Sequence, residues 1–323
     1  ITFPRVGYDG IERSKKEIED WYVKNVSEKI IGNLERNLTE GSISTIVANE
    51  ADEDEIIKRI NQLKEPTQLN AILLYTPKEI EENKVHFEIV NRYDGIKKAI
   101  ADAFNYTKFR QNVLVELAKM LNVKVCPYCN MQYTLFAEEK DGEETEDELA
   151  KFQFDHFVSK TDYPMFSMSL YNLIPSCAVC NHGKRDGELP VELNPYYNDI
   201  HKLFHFEVKE PLDLLLGKKV DRVDIKTEST KDNEQIVNTY NNIFHISTLY
   251  SRHKDIVQEI YEKAYIAQST KDIADLLHTD KKRLSELWYG TYLSEKDIEK
   301  RPLTKFIQDI KKQCEEYTNG KTK

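Results

Sequence analysis

Two short stretches, Cys126-Pro-Tyr-Cys129 and, about fifty residues further on, Cys177-Ala-Val-Cys180, decide how this chain is read. A C-x-x-C pair forms a knuckle, and two knuckles supply four thiolates, the full ligand set of a tetrahedral zinc ion. Zn²⁺ favours soft sulfur and has no ligand-field preference. A four-thiolate site is therefore closed and structural, with no open position for chemistry. The alternative reading is four unrelated thiols. Against it, the chain has only one other cysteine, Cys314. The N-terminal Ile1-Thr-Phe-Pro-Arg5 lacks the basic and apolar regions of a secretory signal, so the expected compartment is the cytoplasm. There, paired C-x-x-C reads as zinc before disulfide.

The interval between the knuckles is long for a small zinc ribbon and must hold structure of its own. It contains Phe154-Asp155-His156-Phe157 and Tyr171-Asn172-Leu173-Ile174-Pro175, and the second knuckle runs into Asn181-His182-Gly183-Lys184. An Asp beside a His at a strand end can hold a hard cation with its carboxylate and leave the imidazole to act as a base. The Asn181 carbonyl adds another oxygen. Such ligation suits Mg²⁺ or Mn²⁺ rather than a second zinc. Met131, Tyr133 and Leu135 alternate with polar residues, as do Phe152 and Phe154. These period-two signals predict a β-hairpin across the acidic segment 138–148, which would form its tip. Gly183, Gly187 and Pro190 keep any helix after the second knuckle short.

Outward from this centre, residues 1–122 read as mostly helical. Ser14-x-x-Glu17 resembles a capping box and precedes Ile18, Trp21, Tyr22 and Ile30 at helical spacing. Ile96, Ile100 and Phe104 repeat every four residues, as do Phe109, Val113 and Leu117. Short strands are expected at 70–75 and 85–90. Residues 191–323 read as mixed and then helical, with short strands at 203–208 and 221–226. Leu249, Ile256, Ile260 and Ala264 suggest one helix face. Pro302 suits a first turn, and Leu303, Phe306, Ile307, Ile310 and Cys314 form a stripe. Cys314 is thus expected to be a packed core thiol. His86, His201, His205, His245, His253 and His278 have no chemical neighbours in sequence and are taken as structural. There is no internal repeat and no G-x-x-x-x-G-K phosphate loop.

A chain of 323 residues allows one large or two ordinary domains. With 40% hydrophobic and 10% aromatic residues it can bury a sizeable core, which excludes a disordered chain. No apolar run approaches the roughly 18 residues of a spanning helix, so no membrane association is expected. A net charge of −10 first argues against nucleic acid. Segment 138–148, however, holds eight acids and one lysine, so the other 312 residues carry only −3. The run reads as a solvated tip; the alternatives are repulsion of nucleic acid from one face or a basic partner.

The order Cys-x-x-Cys, Asp-His-Phe, Asn-Leu, Cys-x-x-Cys-Asn-x-x-Lys over residues 126–184 resembles the HNH endonucleases in their zinc-knuckle form. The wider phrasing, Cys126-Pro-Tyr-Cys-Asn130 and Asp155-His-Phe-x-x-Lys160-x-x-Tyr163-Pro164, is similar to HNH proteins encoded beside an ATPase in bacterial antiphage systems such as Septu. The resemblance implies a mainly α protein with a central ββα-metal, treble-clef-like module at 123–190, between regions 1–122 and 191–323. It implies Asp155 as a metal ligand, His156 as general base, and Asn172 as a brace that holds the His loop through backbone hydrogen bonds. Asn181 would be the second ligand of a catalytic Mg²⁺ or Mn²⁺, and Lys184 a phosphate contact. His182, not fixed by the motif, is a further candidate for phosphate. The implied activity is phosphodiester hydrolysis, with DNA favoured over RNA because no 2′-hydroxyl is needed. An ATPase partner and a defence role are implied as well. Two alternatives stay open: a non-catalytic zinc-knuckle module that grips nucleic acid or protein, and an RNA- or tRNA-cleaving toxin with the same site.

Overall fold

The computed structural model describes residues 1–47, 50–135, 152–185, 187–209, 211–215, 223–227, 231–268 and 278–318. The acidic run 138–148 lies outside the described residues. The fold is mainly helical with a few short strands. The chain divides into a first compact unit of residues 1–123, 137–176 and 185–198, and a second of residues 124–136, 177–184 and 199–323. The segment 123–190 contributes to both.

The first unit is built around α1 (Lys15–Asn37). Its start is a capping box: the Glu17 N–H donates to the Ser14 hydroxyl, and the Ser14 N–H to the Glu17 carboxylate at 2.8 Å. Ile18, Tyr22, Val26, Ile30 and Leu34 follow at four-residue spacing and are fully buried, against α3 (Glu50–Lys64), α4 (Pro66–Leu73), α7 (Asp94–Phe104) and α9 (Val113–Leu121). On α7 the buried face is Ile96, Ile100, Ala103 and Phe104. Phe109 belongs to the separate α8 (Tyr106–Arg110), so the 109–113–117 repeat spans a break.

Two strands expected in this region are helical. Residues 70–73 end α4, where Pro66 sits in the first turn and the Glu65 carboxylate accepts the Thr67 and Gln68 N–H groups. The buried residues Leu69, Ile72 and Leu73 have helical spacing, which outweighs local strand propensity. Residues 85–90 fall in a 3₁₀ turn, Lys84–Phe87, and in α6 (Glu88–Asn91), with Phe87 and Val90 buried three apart.

The expected hairpin also differs. Gln153–His156 forms β3, but its partner is β4 (Leu173–Ser176), antiparallel, with Asp155 opposite Ile174 and His156 opposite Leu173. Residues 131–135 instead fold back on the first knuckle through a bridge between Val125 and Tyr133. Alternation marks a strand but not its partner. β4 has no alternation because all four residues are buried, and Pro175 argues against a strand on sequence grounds. The long β3–β4 loop is tied to the helices. The Tyr22 hydroxyl donates to the Met168 carbonyl at 2.7 Å, and the Ser169 hydroxyl to the Ile72 carbonyl at 2.8 Å.

In the second unit, strands fall where expected: β5 (Phe204–Val208) pairs antiparallel with β6 (Val223–Thr227). The free edge of β5 is covered by the C-terminal helix Thr304–Thr318. Its Asp309 carboxylate accepts the Phe206 N–H at 2.9 Å, and the Gln313 amide pairs with both the N–H and the C=O of Val208 at 2.8 Å. Side chains one turn apart thus replace a third strand. The helix buries Phe306, Ile310 and Cys314, the last with no exposure, as expected of a core thiol. In α14 (Lys254–Gln268) the buried residues are Val257, Ile260, Tyr261 and Ala264, shifted from the expected face by one position at Ile256.

Candidate functional site

Cys126, Cys129, Cys177 and Cys180 lie together in the second unit, all buried, with their sulfurs within 4.8 Å of one another. The Sγ atoms of Cys129 and Cys177 are 3.9 Å apart. Sulfurs about 2.3 Å from a shared tetrahedral ion would be about 3.8 Å from each other, whereas a disulfide brings them to about 2.05 Å. The spacing is that of a metal cage, and the four cysteines could hold an ion such as zinc. Each knuckle is closed by backbone N–H donation to sulfur, from Met131 to Cys129 and from Cys180 to Cys177, both at 3.4 Å. Hydrogen bonds with Cys126 hold Cys129 and Cys177 below the usual thiol range. Burial holds Cys126 above it, and the neighbouring thiols push Cys180 up. Four crowded thiols cannot all keep favourable protonation states, and a bound divalent cation would replace the protons. Among the described residues this is the one group of three or more His, Cys, Asp or Glu side chains close enough to share an ion.

What supports the knuckles was not visible in sequence. Buried Tyr250 donates its hydroxyl to the Cys129 carbonyl at 2.6 Å, and buried Tyr240 donates to the Tyr128 carbonyl. Tyr128 stacks on Phe244 at 4.8 Å. Asn130, just past the first knuckle, adopts the left-handed region at φ 48°. Its amide donates to the Ile298 carbonyl at 2.8 Å, and its Oδ1 accepts the Lys305 N–H at 3.1 Å, capping the C-terminal helix from another part of the chain.

In the first unit, Asp155 and His156 end β3. Asp155 is only 2% exposed, and His156 is half-buried. The His156 Nε2 lies 3.1 Å from the Ser167 carbonyl oxygen. A carbonyl can only accept, so Nε2 carries the hydrogen, and in the neutral ring the basic lone pair sits on Nδ1. The clamp is set by Asn172, which is fully buried. Its Oδ1 accepts the Val158 N–H at 2.6 Å, and its amide donates to Val158 O at 3.1 Å and Phe166 O at 2.9 Å. One side chain thus fixes the backbone two residues after His156 and one residue before Ser167. The ring of Tyr106, from α8, meets the His156 ring edge-on at 4.5 Å. Burial pushes the Tyr106 hydroxyl up to about 12, with the Asp155 charge acting in the same direction. Tyr106 carried no sequence signal, because some fifty residues separate it from His156.

Asn181, His182 and Lys184 lie on α10 (Ala178–Lys184) of the second unit. The helix is seven residues long, as the glycines and Pro190 suggest. His182 is exposed, Asn181 half-buried and Lys184 3% exposed. Of the remaining histidines, His201 is notable, since its buried Nδ1 has no hydrogen-bond partner among the described residues.

No family model matches the chain, and no curated protein or solved structure matches it. No helix among the described residues is long and apolar enough to cross a membrane.

Proposed function

We propose that this protein is a metal-dependent endonuclease of the HNH type that hydrolyses phosphodiester bonds, with DNA as substrate. The observation that carries the reading is the clamp on His156. A general base needs a defined tautomer and a fixed ring. The Ser167 carbonyl selects the tautomer, Tyr106 flanks the ring, and Asn172 holds the loop that carries both His156 and Ser167. The adjacent Asp155 carboxylate is a hard oxygen donor that suits Mg²⁺ or Mn²⁺. Mg²⁺ is commonly held through one or two protein ligands plus water and substrate phosphate, so a small ligand set fits. When bound, such an ion would neutralise charge developing at the scissile phosphate. His156 Nδ1 would take the proton from the attacking water, and the products would be 5′-phosphate and 3′-hydroxyl ends. The cysteine cage would hold the second unit's knuckles as structure and take no part in the chemistry.

The test is plasmid cleavage with Mg²⁺ or Mn²⁺, with and without EDTA, for wild type and His156→Ala. Cleavage that requires both the metal and His156 supports the reading. With an RNA substrate, ends bearing 2′,3′-cyclic phosphate would reject it in favour of a reaction that uses the 2′-hydroxyl. Cleavage of neither DNA nor RNA, with or without a partner, favours a zinc-knuckle binding module. The partner we propose is an ATPase, and the setting antiphage defence. Both rest on the resemblance of residues 126–184 alone, and the ATPase claim falls if pull-downs from the native host recover none.

A further inference from the structure

A cleft of about 610 Å³ opens in the first unit between α7–α8 and the β3–β4 loop. Two of its lining residues, Tyr106 and Ser167, are the two that hold His156. It therefore shares a wall with the candidate base. Its charged lining holds three lysines and two aspartates. Lys97, Lys98 and Lys160 face it against Asp94 and Asp102. Lys97 reaches Asp94 at 3.8 Å. Lys160 instead lies over the face of Tyr106, with Nζ 4.5 Å from the ring centroid. Among the described residues, no carboxylate lies within ion-pair distance of Lys98 or Lys160. Burial, and then the nearby Arg110, hold the Lys160 ammonium below its ordinary range. Lys160 is thus set on Tyr106 without an ion-pair partner, in the same cleft as Lys98. In a chain of net charge −10 this is a local exception.

We propose that this cleft is a phosphate subsite for the nucleic-acid backbone, in which Lys160, with Lys98, takes a phosphate neighbouring the one served by His156. The inference rests on the nuclease reading for its substrate and adds the path by which the strand reaches the base. A purely structural role for Lys160, as a cation resting on Tyr106, makes a different prediction. It would alter folding and leave the salt dependence of binding untouched.

The experiment measures binding, so it does not depend on cleavage. Fluorescence anisotropy of a labelled DNA oligonucleotide is recorded without added Mg²⁺ or Mn²⁺, with His156→Ala protein as the parent, across a range of NaCl concentrations. Lys160→Gln and Lys98→Gln are introduced singly and together, with the exposed Lys16→Gln as a charge-matched control and thermal melts to confirm folding. The double variant is expected to bind about tenfold more weakly, and the slope of log Kd against log salt to fall by roughly 0.7–0.9 for each phosphate no longer neutralised. Lys16→Gln should leave both unchanged. An unchanged slope and affinity in the double variant would overturn the subsite. So would binding by the parent no tighter than roughly 10⁻⁴ M, the weak limit of non-specific association. The two readings separate cleanly. Lys160-dependent binding, with wild-type protein cleaving neither DNA nor RNA with or without a partner, rejects the nuclease and keeps the subsite. Cleavage that needs His156, with binding indifferent to Lys160 and Lys98, does the reverse.

Discussion

Asn172 is the residue on which the geometry of the first unit's site depends most. It is fully buried and makes three side-chain hydrogen bonds to backbone. Asn172→Ala would leave buried donors and acceptors unpaired, at about 1–3 kcal/mol for each group that water cannot reach. We expect a loss of roughly 3 kcal/mol in denaturant unfolding and a fall in any His156-dependent activity. A loss below about 1 kcal/mol would mean that the loop is held by other interactions. His201 supplies a pH test. Burial lowers it from an ordinary 6.5 to about 4. Between these values the unfolded chain binds a proton that the native chain refuses. Its contribution is therefore complete above pH 6.5 and is lost as pH falls towards 4. The shift corresponds to at most about 3 kcal/mol. His201→Gln should flatten the acid limb of a stability–pH curve relative to wild type; superimposable limbs would show that another group governs it. At this scale, the sequence singled out His156 because Asp155 precedes it and the cysteine pairs enclose it. Tyr106, Ser167 and Asn130 were not, because their partners are distant in sequence.

Among the elements, the chain-local ones were legible. The capping box of α1 needs only Ser14 and Glu17. β5 and β6 were anticipated from local pattern, and the short α10 follows from Gly183, Gly187 and Pro190. The pairing of β3 was not legible, since β4 is buried on every residue and carries a proline. The most testable element-level device is the cap that Asn130 places on the C-terminal helix. Asn130→Gly keeps the left-handed backbone and deletes the cap, while Asn130→Ala loses both. We expect Ala to cost about 1 kcal/mol more than Gly, and Gly itself about 1–2 kcal/mol, in urea unfolding. Equal losses would show that the backbone conformation carries no strain there.

For the whole molecule, an ion held by the four cysteines would make the stability of the second unit depend on metal. We expect one zinc per chain by elemental analysis, and its release when the thiols are titrated with an organomercurial. Cys177→Ser should lose the ion and lower the melting temperature by far more than Cys314→Ser, since a structural site contributes folding free energy directly. A chain that retains full stability without metal would show that the four thiols are packing residues. The sequence by itself determined the cysteine quartet, the helical character of most of the chain and the run Asp155-His156, because each depends on residue type and short-range spacing. Tertiary structure alone decided which strand β3 pairs with, that Tyr106 and the Ser167 carbonyl grip His156, and that two tyrosines and the C-terminal helix brace the knuckles. These depend on burial and on hydrogen bonds between groups from 11 to 175 positions apart, and no local pattern encodes which buried polar group will find which partner.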